Sequence, residues 1–313
     1  MNRKPLVTVI IPCYNVSNYV LKAINSMLHQ TYQNLEVLVI NDGSTDDTLT
    51  QIKTLVDKRI RVIDFEKNTK KIGAVNIVLG QVKGDLITFQ DADDWSESDR
   101  IEEQVNEFLK SSKIGICFTN YRFVGKTTST PKRIALTSSE LKDEFLKFGR
   151  KENKDFDATN CPSMMITAEV LRKTRGYHPY FAGRVAEDIH WIYRILKEFE
   201  GVTINKVLYN YSIREGSFTQ NQLGGKNAKY AYSWQLLSKI IYKDVYENID
   251  VLAEKKEDLI SLELEACEEA LVEQIRLKNE IEKVYRDSTS YRIGKRVVGA
   301  LTVLKGIKRS LIR

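Results

Sequence analysis

The chain has 313 residues, 42% apolar and 29% charged, an ordinary globular balance that excludes disordered and collagen-like chains. No run of 18 or more apolar residues occurs, so no segment reads as a membrane-spanning helix. The net charge is +6, yet Ser288–Arg313 alone holds seven basic residues and no acidic one, which leaves the preceding body close to neutral. A nucleic-acid binder is not expected from a neutral body; the positive charge belongs to a tail.

Met1–Pro5 runs directly into the apolar segment Leu6–Ile11, too short for a signal peptide and without a cleavage site. Cys13, Cys117, Cys161 and Cys267 lie far apart with no C-x-x-C pair, which argues against a zinc site or a disulfide framework. A reducing, cytoplasmic setting is the expectation.

In chain order, β-branched apolar runs predict strands at Leu6–Ile11, Leu35–Ile40, Ile60–Phe65, Leu86–Phe89 and Ile114–Phe118. Helical stretches at 17–30, 45–57, 72–83 and 98–112 separate them. This alternation predicts an α/β fold, a mostly parallel sheet with helices on both faces. Residues 121–160 read as polar loop with one helix near Ser138–Phe148. A strand near Ser163–Thr167, a helix near Ala186–Phe199 and a strand near Val202–Tyr211 follow. No glycine or proline occurs between Gly225 and Gly294, so this stretch, rich in Glu, Lys and Leu, predicts one or two long helices.

Open parallel sheets bind ligands at the carboxyl ends of their strands. There the sequence places Pro12-Cys13-Tyr14-Asn15, Asn41-Asp42-Gly43-Ser44-Thr45-Asp46-Asp47, Asn68 with Lys70 and Lys71, and Asp91-Ala92-Asp93-Asp94-Trp95. Asp91 and Asp93, two apart on an extended segment, point the same way. Three carboxylates in four residues repel, so one takes up a proton unless a cation compensates. Oxygen ligands suit Mg²⁺ or Mn²⁺, while Asp93 and Asp94 also suit the cap of a following helix; from this motif alone both readings stand. Ser44-x-x-Asp47 resembles a capping box, which leaves Asp42 unexplained; a carboxylate there can accept the imide N–H of a base. The sequence has neither a P-loop nor a G-x-G-x-x-G, so a metal-bridged diphosphate is the remaining simple mode for a nucleotide.

Val9-Ile10-Ile11-Pro12-Cys13-Tyr14-Asn15, Ile24–Tyr32, Asn41–Asp46 and Gly84–Asp94 together resemble family 2 glycosyltransferases, over about residues 6–220. The resemblance implies the GT-A fold, a Rossmann-like sheet, and inverting transfer of a hexosyl unit from a nucleotide sugar. It also implies that Pro12, Tyr14 and Asp42 contact the nucleoside, and that Asn68 and a basic residue after it lie near the donor. Asp91, Ala92 and Asp93 would be the D-x-D motif, with Asp93 the direct ligand of Mn²⁺ or Mg²⁺ and Asp91 beside it. Glu187-Asp188 matches the family's acidic pair, with Asp188 the expected general base; a charged first helical turn is the bland alternative.

Two departures stand out. The family's Asn-x-Gly…Ala-Arg-Asn is here Asn68-Thr69-Lys70…Ala74-Val75-Asn76, which moves the diphosphate contact to Lys70 or Lys71. In Tyr211–Ser217 the usual histidine position is Arg214, able to bind a diphosphate but a poor metal ligand. The three histidines form no catalytic pattern, and Trp95 and Trp191 read either as sugar-site walls or as core.

In the helical extension a 4-3 spacing selects Ile260, Leu264, Cys267, Leu271, Gln274, Lys278, Ile281 and Tyr285. This weak coiled-coil seam reads as a homo-oligomer surface or as a helix packed along the catalytic domain. The tail 288–313 is basic and amphipathic, suited to an anionic membrane or to docking on the protein. The expected division is 1–222 catalytic (nucleotide half 1–95, acceptor half 96–222), 223–287 helical extension and 288–313 tail. The resulting expectation is a UDP-sugar-dependent transferase acting on a lipid-linked saccharide at the cytoplasmic face of a bacterial membrane, in surface polysaccharide synthesis. A sugar-1-phosphate nucleotidyltransferase would need a glycine-rich NTP loop, absent from Pro12–Asn18; a catalytically silent helical scaffold is the other alternative.

Overall fold

The computed structural model describes residues 4–125, 135–152, 161–182, 184–213, 228–253 and 256–287. Its first part is β1 (Val7–Cys13), α1 (Val20–Leu28), β2 (Leu35–Asp42), α2 (Thr48–Lys53), β3 (Ile60–Phe65), α3 (Lys70–Leu79) and β4 (Leu86–Phe89). Next come β5 (Trp95–Ser96), α4 (Arg100–Lys110), β6 (Ile114–Val124), α5 (Ser138–Gly149), β7 (Met165–Thr167) and α6 (Ala168–Thr174). The chain continues with α7 (Glu187–Glu198), β8 (Glu200–Ser212), α8 (Ala228–Tyr246) and α9 (Lys256–Asp287).

One sheet of eight strands runs in the order β3-β2-β1-β4-β7-β6-β8-β5. The neighbours β3, β2, β1 and β4 are parallel, β7 is antiparallel to both β4 and β6, β8 is parallel to β6, and β5 is antiparallel to β8. The parallel strands are apolar on both sides because both faces are covered. Alternate residues feed two cores: Val7, Val9, Ile11, Val37 and Val39 pack with Ile24 and Met27 of α1 and Ile101 and Val105 of α4. Ile10, Leu38, Ile40 and Ile87 face Ile72, Val75 and Val78 of α3 and Ile189 and Trp191 of α7.

Several expected boundaries move, for identifiable reasons. The helix expected at 45–57 is only Thr48–Lys53, because residues before it are tied into the neighbouring loop. Asn15 N–H donates to Ser44 Oγ (3.1 Å) and Ser17 N–H to Asp46 (3.1 Å). The Ser44–Asp47 capping box does not form; Asp46 Oδ1 accepts the Thr48 N–H instead (3.0 Å). Nor do Asp93 and Asp94 cap the next helix, which begins at Arg100 after Asp99. β6 continues through Val124, beyond the expected Phe118, because its far half pairs with β8. Helix α5 starts on a capping box, Thr137 with Glu140, close to where the sequence placed it. The short strand β5 and helix α6 were not anticipated.

The predicted C-terminal helices are two. α8 buries Leu236, Leu237, Ile240 and Ile241 in the same core as Trp191. Ser238 Oγ donates to the Phe148 carbonyl (2.9 Å), and Asp244 receives the Tyr193 hydroxyl (2.6 Å) and the Lys197 ammonium (2.6 Å).

Candidate active site

The parallel register sets Cys13 beside Asn41 and Ile10 beside Phe89, so the ends of β1, β2 and β4 open on one edge of the sheet. At the end of β2, Asp42 is 4% exposed. Its Oδ1 accepts both the N–H and the hydroxyl of Thr69 at 2.8 Å, and its Oδ2 makes no hydrogen bond among the described residues. Gly43 follows in the left-handed region (φ 67°). A Cβ there would stand 2.6 Å from the Asn68 backbone nitrogen, so the loop holding Asn68 crosses directly over this glycine. Asn68 Oδ1 receives the Lys70 N–H (2.8 Å), and Lys70 itself is left-handed (φ 67°). The lysine thus keeps the backbone shape that suits the glycine usual in the resembling family.

Lys70 stays at the surface, and it is Lys71 that enters the site. Its Nζ lies 2.9 Å from Asp91 Oδ1, with the side chain 46% exposed. Desolvation pulls its pKa down, but Asp91, the Tyr177 hydroxyl and Glu187 outweigh it and hold the ammonium well above its usual value.

The acidic turn after β4 is anchored from three sides. Ala92 is buried in the core beneath it. Asp94, 2% exposed, accepts the Tyr209 hydroxyl at Oδ2 (2.9 Å) and the Ser212 N–H at Oδ1 (2.7 Å). The same hydroxyl receives the Asp91 N–H and the Gln90 side-chain amide, both at 3.2 Å. Burial, then repulsion from Asp91 and Asp93, pushes the Asp94 carboxyl well above the usual range, against the hydrogen bonds from Ser212 and Tyr209. Beneath, fully buried Arg100 donates twice to the Phe89 carbonyl (3.1 Å) and stands over the Tyr209 ring. Burial lowers its pKa to about 10.

Helix α7 brings the acidic pair to the same place. Ala186 precedes it in the left-handed region (φ 72°), and no side chain caps its start. Asp188 Oδ1 accepts the Ile189 N–H (2.8 Å). Glu187 is raised to about 7, first by burial, then by Asp188, against the pull of Lys71. Burial pushes the Tyr177 hydroxyl well above its usual range, Asp188, Glu187 and Asp91 add to the shift, and Lys71 acts against it.

Lys71 is thus paired with Asp91, two residues before Asp93, and feels Glu187, which precedes Asp188 at the start of α7; Pro12, Tyr14, Asp42 and Asn68 stand at the adjoining strand ends, and Arg214 lies outside the described residues. Tyr177 and Tyr209 were not anticipated from the sequence, and Asp94 and Glu187 were noted there only as neighbours of Asp93 and Asp188. Trp191 is core: fully buried, edge-on to Phe89 and Tyr177, its Nε1 donating to Thr174 Oγ1 (2.7 Å). Trp95 is part-buried with the Lys22 ammonium over its ring.

Among the described residues no three His, Cys, Asp or Glu side chains converge as a metal-binding group. Two carboxylates at a strand end, Asp91 and Asp93, still fit Mg²⁺ or Mn²⁺, which need only one or two beside phosphates and water.

The glycosyl transferase family 2 model matches residues 8–174. The putative teichuronic acid biosynthesis glycosyltransferase TuaG of Bacillus subtilis is 28% identical over 225 residues, 71% of this chain and 84% of TuaG. Three further curated relatives are matched over 55%, 31% and 36% of their own length, so the chain spans about half or less of each. In fold the chain is similar to residues 1–349 of S. aureus TarS in complex with UDP-GlcNAc, with a TM-score of 0.61 at 17% identity, covering 90% of this chain and 91% of that one. It is also similar to the mannosyltransferase PcManGT of Pyrobaculum calidifontis in complex with GDP-Man and Mn²⁺, with a TM-score of 0.57 at 17% identity over 93% and 83%. The fold is GT-A, and the chain belongs to glycosyl transferase family 2.

Proposed function

We propose that this protein is an inverting, metal-dependent glycosyltransferase that moves a sugar from UDP to a hydroxyl of a lipid-linked saccharide, in bacterial surface polysaccharide synthesis. The observation that carries this reading is the meeting of Asp91, Lys71 and the Glu187–Asp188 pair at the carboxyl edge of the parallel strands.

Residues 1–95 hold the nucleotide. Asp42 offers Oδ2 to the base, and Pro12, Tyr14 and Asn68 line the nucleoside. Asp91 and Asp93 hold Mn²⁺ or Mg²⁺, which when bound supplies a Lewis acid for the charge on the departing diphosphate. Lys71, kept protonated by Asp91, adds a fixed positive charge for the same phosphates. Arg214, outside the described residues, serves them as well. On the acceptor side, residues 96–222, Asp188 takes the proton of the acceptor hydroxyl as its oxygen bonds to the anomeric carbon. The bond from that carbon to the diphosphate breaks on the opposite face, which inverts the centre.

Among the described residues no helix is long and apolar enough to cross a membrane. The near-neutral body and the basic tail 288–313, outside the described residues, support attachment to an anionic cytoplasmic membrane surface.

The test is UDP release from a panel of UDP-sugars with Mn²⁺, with Mg²⁺ and with chelator, which needs no acceptor. Turnover of one sugar that requires metal and disappears in Asp93→Ala is the expected result. Failure of UDP-, GDP- and dTDP-sugars to bind or turn over would sink the enzyme reading and favour the scaffold.

A further inference from the structure

The ammonium of Lys71 stands 2.9 Å from Asp91 Oδ1, so one carboxylate of the D-x-D pair already carries a cation of the chain's own. The turn that brings it there is fastened to the nucleoside side of the site. Thr69 gives both its N–H and its hydroxyl to Asp42 Oδ1 (2.8 Å each), and Asn68 Oδ1 takes the Lys70 N–H (2.8 Å). Left-handed Lys70 then turns the chain into α3, whose second residue is Lys71. Val75, one turn further along, is fully buried in the core, so the positive charge that α3 brings to Asp91 comes from its first turn. The ion pair is open: the Lys71 side chain is 46% exposed and that of Asp91 20%. An exposed pair of this kind is weak, and a lysine is a point charge on a flexible stem that can turn to another anion.

We propose that Lys71 is a placeholder cation that makes metal binding at the D-x-D pair depend on the nucleoside diphosphate. The proposal rests on the reading above that Asp91 and Asp93 take a divalent ion. In the free chain Lys71 holds positive charge on Asp91, and it opposes a second cation there whether it is displaced or stays beside it. When a diphosphate enters, Lys71 has a second anion to face, the local charge is offset, and Asp91 is released to the metal. The effect is reciprocal, since whatever factor the diphosphate adds to metal affinity the metal adds to diphosphate affinity. A pair that served only to fasten α3 to the acidic turn has the opposite sign: cutting it would loosen the turn and weaken the metal.

The test is binding of Mn²⁺ to the full chain, read from the electron paramagnetic resonance signal of the free ion, without and with UDP. In the absence of UDP, Lys71→Met should bind Mn²⁺ about tenfold more tightly than the wild type. The factor by which UDP tightens Mn²⁺ should shrink in this variant to a like degree. Lys71→Gln, a second neutral variant, should match it, and Lys71→Arg, which keeps the charge, should bind Mn²⁺ no more tightly than the wild type. Unchanged or weaker Mn²⁺ binding in both neutral variants, with UDP-dependent binding intact in the wild type, overturns the placeholder and leaves a structural fastening. Tight binding in Lys71→Met that survives Asp93→Ala puts the ion elsewhere and also overturns it. Failure of the wild type and of Lys71→Met to bind Mn²⁺ even with UDP overturns the metal-dependent reading itself, and the proposal with it.

Discussion

Glu187 stands where burial and the adjacent Asp188 act against its charge and Lys71 favours it; the balance lifts its carboxyl from 4.5 to about 7. Between those values the folded chain holds a proton that the unfolded chain has released. The sign follows: the stability tied to this proton is fully present below pH 4.5 and is lost as the pH rises through 7. Glu187→Gln should therefore leave the melting temperature unchanged near pH 4 and raise it above pH 7, which a pH series of thermal melts reads directly. In the proposed mechanism Asp188 receives the proton; its Oδ1 accepts the Ile189 N–H, and its Oδ2 makes no hydrogen bond among the described residues. Asp188→Asn should lower kcat of sugar transfer by about 10²–10⁴-fold with little change in donor KM. Steady-state kinetics with the identified donor checks this, and an unaltered kcat would move the base elsewhere.

Among the elements, β8 does most to shape the acidic turn. Its Tyr209 hydroxyl serves Asp94, the Asp91 N–H and Gln90 at once. Tyr209→Phe strips a donor from a carboxyl that stays buried, so a loss of about 1–3 kcal/mol is expected in urea unfolding, together with weaker donor turnover. None of this was visible in the sequence, because Tyr209 and Asp94 are 115 residues apart and nothing local marks their meeting. The parallel strands were legible, since burial on both faces writes itself as runs of Val, Ile and Leu. Asp42, Asp91 and Asp93 were legible for another reason: polar groups at the ends of such runs have no packing role to explain them. Local rules misled where distant partners intervened. Ser44 and Asp47 were read as a capping box, yet Ser44 and the intervening Asp46 tie the β1 and β2 loops together, whereas for Trp191, read as sugar-site wall or core, its contacts with Phe89 and Tyr177 select the core.

For the whole molecule, the composition change after Gly225 marks a boundary that the core does not share. Leu236, Leu237, Ile240 and Ile241 of α8 belong to the same apolar cluster as Phe145, Phe148 and Trp191. A chain cut after residue 222 uncovers that cluster, and should lose its single cooperative transition in calorimetry; retention of a sharp melt would show that the first 222 residues are a self-sufficient unit.

The seating of α7 between the sheet and α8 has a mechanical meaning. Asp188 sits at the free end of a beam whose far half is gripped by Tyr193 and Lys197 on Asp244 of α8. Helix α8 is in turn pinned to α9 through Lys239. A load on the outer surface of α9 is thus in series with the acidic pair, passing through packed helices with no loop to absorb it.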